Sequence, residues 1–259
     1  MAEGELGVVL KTTPLRESDL LVVLYTATHG RVAAVARGAR KSQRRFAGAL
    51  QLLVLGRYDV RRSRGELWSL ESADVEREWT AIASDVFAVA HASYIAELVA
   101  GILPAESPEP EALDVIVGLW DSLAEAGASP AALRHVELAL LELAGHMPAL
   151  GSCAACGERD LESGAVFDPS RGGAICRRCA ATSRGPGVRP LEPGTRAYLV
   201  EVARAGSASE ARGVDERHAA GDRTAARDAM LAMVTSLVGK PLKSLEYIAK
   251  LGAAARKAP

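Results

Sequence analysis

At 259 residues, 49% hydrophobic and 24% charged, the chain is long enough to bury a good core and to hold two or three domains. A net charge of −1 excludes a generally basic protein. No apolar run approaches the length of a membrane span. The opening Met1-Ala-Glu-Gly-Glu5 shows neither a basic n-region nor an apolar h-region, so the chain is expected to be soluble and cytoplasmic.

Residues 5 to 75 read as one all-β unit. Leu6 to Thr12 and Leu20 to Tyr25 read as two strands, and Thr28-His29-Gly30 turns the chain into a third, Arg31 to Ala36. A Gly- and Arg-rich loop, Arg37 to Gly48, leads to a long strand predicted from Leu50 to Val60. Arg62 to Gly65 then turns into a fifth strand, Glu66 to Glu71. Five strands without intervening helices suit a small closed barrel of the OB type, whose curved face and loops commonly carry single-stranded nucleic acid.

Charge is concentrated in this unit. Between Arg31 and Arg64 stand ten basic residues against one acid, Asp59, a local charge of +9 that leaves the rest of the chain near −10. Such a local asymmetry marks a polyanion site. Its densest part, Arg37, Arg40, Lys41, Arg44 and Arg45, falls on the loop before the fourth strand, where cations can track a phosphate backbone. Arg31, Arg61 and Arg62 are secondary candidates from charge alone. Phe46, Tyr25, Tyr58 and Trp68 are candidates to stack on bases, although Tyr58 and Trp68 also suit a barrel core. The opposing reading is a solvated basic face with scattered acidic partners such as Glu66, Glu71, Asp74 and Glu76.

From Trp79 the hydrophobic period becomes helical. Ile82, Val86, Val89, Ala90, Tyr94 and Leu98 mark one helix ended by Pro104, and Leu113 to Leu123 a second. Leu133 to Leu141 mark a third, after the cap and first-turn pair Ser129-Pro130. After residue 182 come a Gly- and Pro-rich linker, a short helix from Thr195 to about Ala205, and a polar, poorly patterned stretch from 206 to 221. An amphipathic helix around Ala226, Met230, Met233, Val234 and Leu237 follows, then a short final helix.

Between these helices lie the chain's only cysteines, Cys153-x2-Cys156 and Cys176-x2-Cys179, separated by nineteen residues. Two C-x-x-C turns at this spacing predict one tetrahedral zinc ion in a zinc ribbon, with a hairpin of Ala165–Phe167 and Gly173–Ile175 between them. Four thiolates carry about −2 with the ion and leave no open position, so the site is structural in character. Arg159, Arg177 and Arg178 are placed to offset that charge. Two disulfides are the other reading, which paired C-x-x-C motifs without a secretion signal argue against. His146 is a spare ligand candidate.

Catalytic signatures are absent: no G-x-x-x-x-G-K-[ST], G-x-G-x-x-G, H-E-x-x-H or G-x-S-x-G occurs, and the five histidines do not cluster. A non-enzyme is expected.

The order of motifs adds to this. A barrel carrying Glu17-Ser18-Asp19, His29-Gly30-Arg31, Ala36-Arg37-Gly38-Ala39-Arg40 and Leu50-Gln51 comes first. Helices with Tyr94-x-x-Glu97-Leu98, a four-cysteine ribbon with Gly172-Gly173, and Lys243-Ser244-Leu245 then follow. Nearly end to end, this resembles the RecO family of bacterial recombination mediators. The resemblance implies an α+β multidomain chain: a five-stranded OB-fold DNA-binding domain over 1–78, then an α-helical domain over 79–259 with the inserted ribbon at about 150–182. It implies DNA contacts at Arg37, Arg40, Lys41 and Arg44. It also implies annealing of single strands, binding of single- and double-stranded DNA, cooperation with RecR and often RecF, and help to RecA on strands coated with single-strand-binding protein. It further implies that the helical domain takes the acidic tail of single-strand-binding protein. Leu133, Val136, Leu140, Met230, Met233 and Leu237 are candidates for an apolar pocket, with Arg134, Arg223 and Arg227 as its rim. Two other classes stay open: a zinc-ribbon adaptor for acidic proteins, and a metal-dependent hydrolase with an unrecognised site.

Overall fold

The structure, a computed structural model, describes residues 4–46, 48–161 and 164–255. Met1 to Glu3, Ala47 of the basic loop, Glu162 and Ser163 of the ribbon, and the last four residues lie outside the described residues.

Five strands close into a barrel in the order β1-β2-β3-β5-β4: β1 Glu5–Pro14, β2 Leu20–Thr26, β3 Gly30–Ala36, β4 Val54–Arg61 and β5 Trp68–Glu78. All pairings are antiparallel except β3 with β5, which meet in parallel at Ala34↔Trp68 and Val35↔Ser69. This is the OB-like barrel expected. Alternation drives it: β3 buries Val32, Ala34 and Ala36 and turns the residues between outward. Val9, Val22, Leu24, Tyr58, Trp68 and Leu70 complete the interior.

Two strand boundaries differ from the sequence reading. β4 starts at Val54 and not near Leu50, because Leu53 sits at φ 68°, a left-handed backbone that no strand continues through. β5 runs on to Glu78, since its acidic residues Glu71, Asp74 and Glu76 all stand exposed while Ala73 between them is buried. A third difference matters for the site. The basic loop contains a four-residue helix, α1 (Gln43–Phe46), whose Phe46 joins the barrel core.

Helices α2 (Val86–Ile102), α3 (Pro110–Ala126), α4 (Pro130–Leu143), α6 (Pro193–Arg204), α8 (Ala220–Val238) and α9 (Lys243–Ala255) follow the helical periods, with short helices α5 (Arg177–Ala180) and α7 (Ala208–Ala211) between. Ser129 caps α4 as expected, accepting the Ala132 N–H at 3.2 Å. The chain divides into two compact units, Met1–Gly127 with Lys243–Pro259, and Ala128–Leu242. The sequence boundary near residue 78 follows the change from strand to helix. The compact units divide by packing instead: α2 contacts both β1 and α9, so barrel, α2, α3 and the final helix form one body.

Within that first unit, Glu97 of α2 holds α9. Its carboxylate accepts the N–H groups of Lys243 (3.1 Å) and Ser244 (2.9 Å) and the Ser244 hydroxyl (2.6 Å). The second unit has its own buried polar knot. Asp215 accepts from Ser129 Oγ (2.8 Å) and Ala131 N (3.2 Å) at the start of α4, and from Tyr198 Oη of α6 (3.0 Å). The stretch 206–221, unpatterned in sequence, is therefore ordered: Ala208, Ala211 and Val214 are buried and Asp215 caps a helix.

Candidate nucleic-acid interface and metal centre

The cationic loop is held at both ends. At the far end, Phe46 is 3% exposed in the core, Ala49 N–H donates to Phe46 O at 2.6 Å, and the buried Tyr58 hydroxyl donates to Ala49 O at 2.9 Å. Burial pushes the Tyr58 phenol up, so it stays a neutral donor. At the near end, the β1–β2 turn grips the loop. Asp19 Oδ1 accepts Gly38 N–H at 2.8 Å, Arg40 N–H donates to Ser18 O at 3.1 Å, and Arg40 Nη1 donates to Glu17 O at 3.0 Å. Gly38 turns through φ +67°, where a side chain would be strained.

Between these anchors Arg37, Arg40, Lys41, Arg44 and Arg45 all stand exposed. Arg45 is partly spent internally, donating to Arg37 O at 2.5 Å and lying 5.0 Å over the Phe46 ring. Lys41 meets Glu17 at 3.5 Å, an exposed pair worth little that yields easily to a phosphate. The arrangement presents a row of cations on a fixed backbone.

The other candidates are placed elsewhere. Arg31 is half-buried and donates to Leu103 O at 3.1 Å. Arg61 pairs with Asp59 at 3.2 Å. Arg62 pairs with Glu106 and lies 5.2 Å over Trp68. These two arginines line a separate open cleft of about 520 Å³ with His29, Val60, Trp68 and Glu106. No hydrogen bond or ion pair links them to the Arg37–Arg45 row among the described residues.

All four stacking candidates are corrected. Tyr25 and Tyr58 are 0% exposed, Phe46 3% and Trp68 6%. Phe46, Tyr58 and Trp68 belong to the barrel core, and Tyr25 is buried with its hydroxyl bonded to the Glu109 backbone, so none offers a ring face to a base. The apolar pocket is corrected as well. Leu133, Val136, Leu140, Met230 and Met233 are core, Arg134 is buried against Glu137 at 2.8 Å, and Arg223 donates to Asp215 O and His218 O. Only Leu237 is part-exposed.

The ribbon forms as read. β6 (Val166–Asp168) and β7 (Gly173–Ile175) make the hairpin, joined by a two-residue β8 (Arg189–Pro190). Gly173 bridges Ala149 so closely that a Cβ would lie 2.5 Å from Ala149 N and O, which explains the glycine at that place. The hairpin and the turn before it carry the two C-x-x-C turns together. All four Sγ atoms lie within 4.8 Å of one another and none is in a disulfide. Cys156 and Cys176 are 3.8 Å apart, and an ion about 2.3 Å from each of four sulfurs requires separations of about 3.8 Å. His146 is not in the group.

The electrostatics also fit a cation. Burial pushes the Cys153 thiol up, but the backbone at Cys176, Ala155 and Cys156 outweighs it and holds it at about 6. Glu158 N–H, then Arg178, hold Cys156 down, and Arg178 Nη2 lies 3.6 Å from Cys156 Sγ. Cys179 is pushed up to about 12, chiefly by its neighbour Cys156. Sulfurs this close cannot all ionise unaided, and a divalent ion removes the conflict. The four cysteines can hold one metal ion.

Known proteins decide the lineage. Residues 1–79 match the family model "Recombination protein O N terminal", and residues 83–246 match "Recombination protein O C terminal". The chain belongs to the RecO family. It is 39% identical over 250 residues to the DNA repair protein RecO of Anaeromyxobacter dehalogenans (strain 2CP-C), covering 95% of each chain. It is 34% identical over 255 residues to that of Myxococcus xanthus, covering 95% of this chain and 96% of the relative. The relative from Syntrophus aciditrophicus is 31% identical over 245 residues, 93% of each. This RecO-family chain is thus a DNA repair protein by lineage.

The structure gives the motifs that carried the resemblance a physical reading. Glu17-Ser18-Asp19 and Ala36-Arg37-Gly38-Ala39-Arg40 are one hydrogen-bonded joint, and Glu97 with Lys243-Ser244 is another. Sequence reasoning left Asp19, Glu97 and Asp215 without roles. The available signal was an acid near amides and hydroxyls, which is common and acquires meaning only through contacts distant in sequence.

Proposed function

We propose that this chain is a non-enzymatic mediator of DNA repair and homologous recombination. It captures single- and double-stranded DNA on the Arg37–Arg45 row, brings complementary strands close enough to anneal, and helps load RecA onto strands coated with single-strand-binding protein. The observation that carries this reading is the set of five exposed cations on one loop pinned at both ends. Each phosphate that such a cation meets releases condensed counterions, which drives binding without regard to sequence. The burial of Tyr25, Phe46, Tyr58 and Trp68 supports backbone contact over base stacking, and leaves bases free to pair.

The metal is one structural zinc ion on Cys153, Cys156, Cys176 and Cys179, the donor set and sulfur spacing supporting that choice. The protein acts in the cytoplasm at the nucleoid, with RecR and often RecF as partners. Recruitment by the tail of single-strand-binding protein is assigned to the helical region as a whole, since the six apolar residues first considered are mostly core.

The test is binding of labelled oligonucleotides over a salt series, with strand annealing measured in the absence of ATP. Arg40→Glu with Arg44→Glu should lower low-salt affinity by orders of magnitude and reduce the salt slope by about one unit per lost contact. Unchanged binding by the folded double variant overturns the assignment to this loop. Consumption of the oligonucleotide instead of pairing overturns the non-enzymatic reading.

A further inference from the structure

Three hydrogen bonds tie the near end of the cationic loop to Glu17, Ser18 and Asp19 of the β1–β2 turn, and two of these residues are acids. Their carboxylates have different partners. Glu17 is an exposed acid whose side chain is 92% accessible and pairs with Lys41 at 3.5 Å, while its backbone carbonyl accepts from the Arg40 guanidinium. Asp19 is turned toward the loop: Oδ1 accepts Gly38 N–H at 2.8 Å and the Ser18 hydroxyl at 3.2 Å, among the described residues it forms no direct ion pair, and Arg16 and Arg37 act on it only through charge. Its backbone carbonyl accepts Leu15 N–H at 3.1 Å, which closes the turn from which it acts. From Gly38 the loop continues through Lys41 N–H and Ser42 N–H to Gly38 O, both at 3.0 Å. The Gly38 amide that Asp19 holds is therefore the first link of the turn that displays Arg40 and Lys41. The Gly38 amide, and then Ser18, hold the Asp19 carboxyl below the usual carboxylate range, so it is ionised at neutral pH.

We infer that Asp19 is a positioning residue of the polyanion site: its carboxylate, bound to the Gly38 amide, pre-orders the Arg37–Arg45 loop for phosphate. The inference rests on the DNA-binding reading above and deepens it. Mutual repulsion among five neighbouring cations opposes the compact loop, and the Asp19 carboxylate offsets it where no phosphate is present. When DNA arrives, a loop already fixed loses no further backbone freedom.

The inference makes a prediction opposite in sign to simple electrostatics. An acid on a DNA-binding face repels phosphate, and removing one charge about 10 Å away in water strengthens binding by about twofold. Removing a positioning residue weakens binding instead, by about tenfold for each backbone residue that DNA must re-order. Glu17→Ala and Asp19→Ala remove the same charge from the same turn and are each other's control.

The experiment measures binding of the full-length variants to a labelled single-stranded oligonucleotide across a salt series. Glu17→Ala should bind about twofold tighter, whereas Asp19→Ala should bind about tenfold weaker or worse. Asp19→Asn, whose amide oxygen still accepts from Gly38, should fall between wild type and Asp19→Ala. The slope against salt should be unchanged in Asp19→Ala, because the cations that finally meet phosphate are the same, and shallower in Arg44→Ala. If Asp19→Ala binds as tightly as Glu17→Ala, or loses slope as Arg44→Ala does, the positioning role is overturned while DNA binding stands. If Arg40→Glu with Arg44→Glu binds normally, the DNA reading of the loop itself fails. Should Asp19→Ala not fold, Asp19→Asn compared with Glu17→Gln decides: the first must be weaker than the second, and equality overturns the inference.

Discussion

Asp215→Ala should be among the most damaging single substitutions in the second unit, although its neighbourhood looks featureless in sequence. The carboxylate joins three elements: it accepts Ser129 Oγ and Ala131 N–H at the start of α4, and the Tyr198 hydroxyl of α6. Hydrogen bonds to a charged acceptor contribute about 1.5–3 kcal/mol each, and a buried donor left unsatisfied costs about 1–3 kcal/mol. Tyr198 is fully buried, so its hydroxyl has no ready access to water once the carboxylate is gone. A negative charge at the start of α4 adds about 0.3–1 kcal/mol through the helix dipole. These terms overlap, and with some water entering the gap the net loss is about 3–5 kcal/mol. Two milder variants calibrate it: Tyr198→Phe should cost about 1 kcal/mol, and Ser129→Ala about 1 kcal/mol as a lost cap. The assay is urea unfolding followed by two probes. Far-ultraviolet circular dichroism reports helices of both units. Fluorescence of Trp68, Trp79 and Trp120 reports the first unit alone, since all three tryptophans lie there. Asp215→Ala should shift an early part of the dichroism transition to lower urea and move the fluorescence midpoint less. If it costs no more than Ser129→Ala, the carboxylate is not the junction described.

Two further outcomes follow from other joints. Cys176→Ser should abolish stoichiometric metal and loosen the ribbon, since metal binding and folding are coupled in such sites; full helical content and melting behaviour in a metal-free preparation would refute this. Burial pushes the Glu97 carboxyl up, but Ser244, Lys243 and Lys11 outweigh it and leave its pKa below the ordinary glutamate value. A lowered folded-state pKa stabilises above the unfolded value and loses that contribution as pH falls through the folded one. Amide-exchange protection of α9 should therefore decline on acidification below about pH 4 in the wild type, whereas in Glu97→Gln it should be weaker at neutral pH and largely insensitive to acid. Equal protection at both pH values in the wild type would refute the role of the carboxylate.

The parts legible in the sequence are those whose cause is local. The apolar run of β2, the Ser129-Pro130 helix start and the C-x-x-C pairs each carry their own physics within a few residues. Illegible parts depend on partners far along the chain. Phe46 reads as a loop aromatic and is core, because only the closed barrel supplies the interior that α1 plugs. The 206–221 stretch reads as polar because its buried contacts are made by Ala208, Ala211 and Val214, too small and too few to set a period, and its anchor is an acid. Charge density in the sequence groups all eight proposed arginines and lysines alike. It could not tell that Arg37, Arg40, Lys41, Arg44 and Arg45 share one loop, while Arg31 bonds Leu103 O and Arg61 and Arg62 line a separate cleft.

The joint between Glu97 and α9 bears on how the chain is made. Its two halves are 146 and 147 residues apart in sequence, and the whole second unit is threaded between them. On the ribosome the barrel strands and α2 emerge long before Lys243 and Ser244 do. The docking face of α2 therefore waits, incomplete, while the ribbon unit is synthesised and acquires its own core. At about 5–20 residues per second that interval is on the order of ten seconds. During it the N-terminal body exists without α9, whose residues emerge only after those of the second unit.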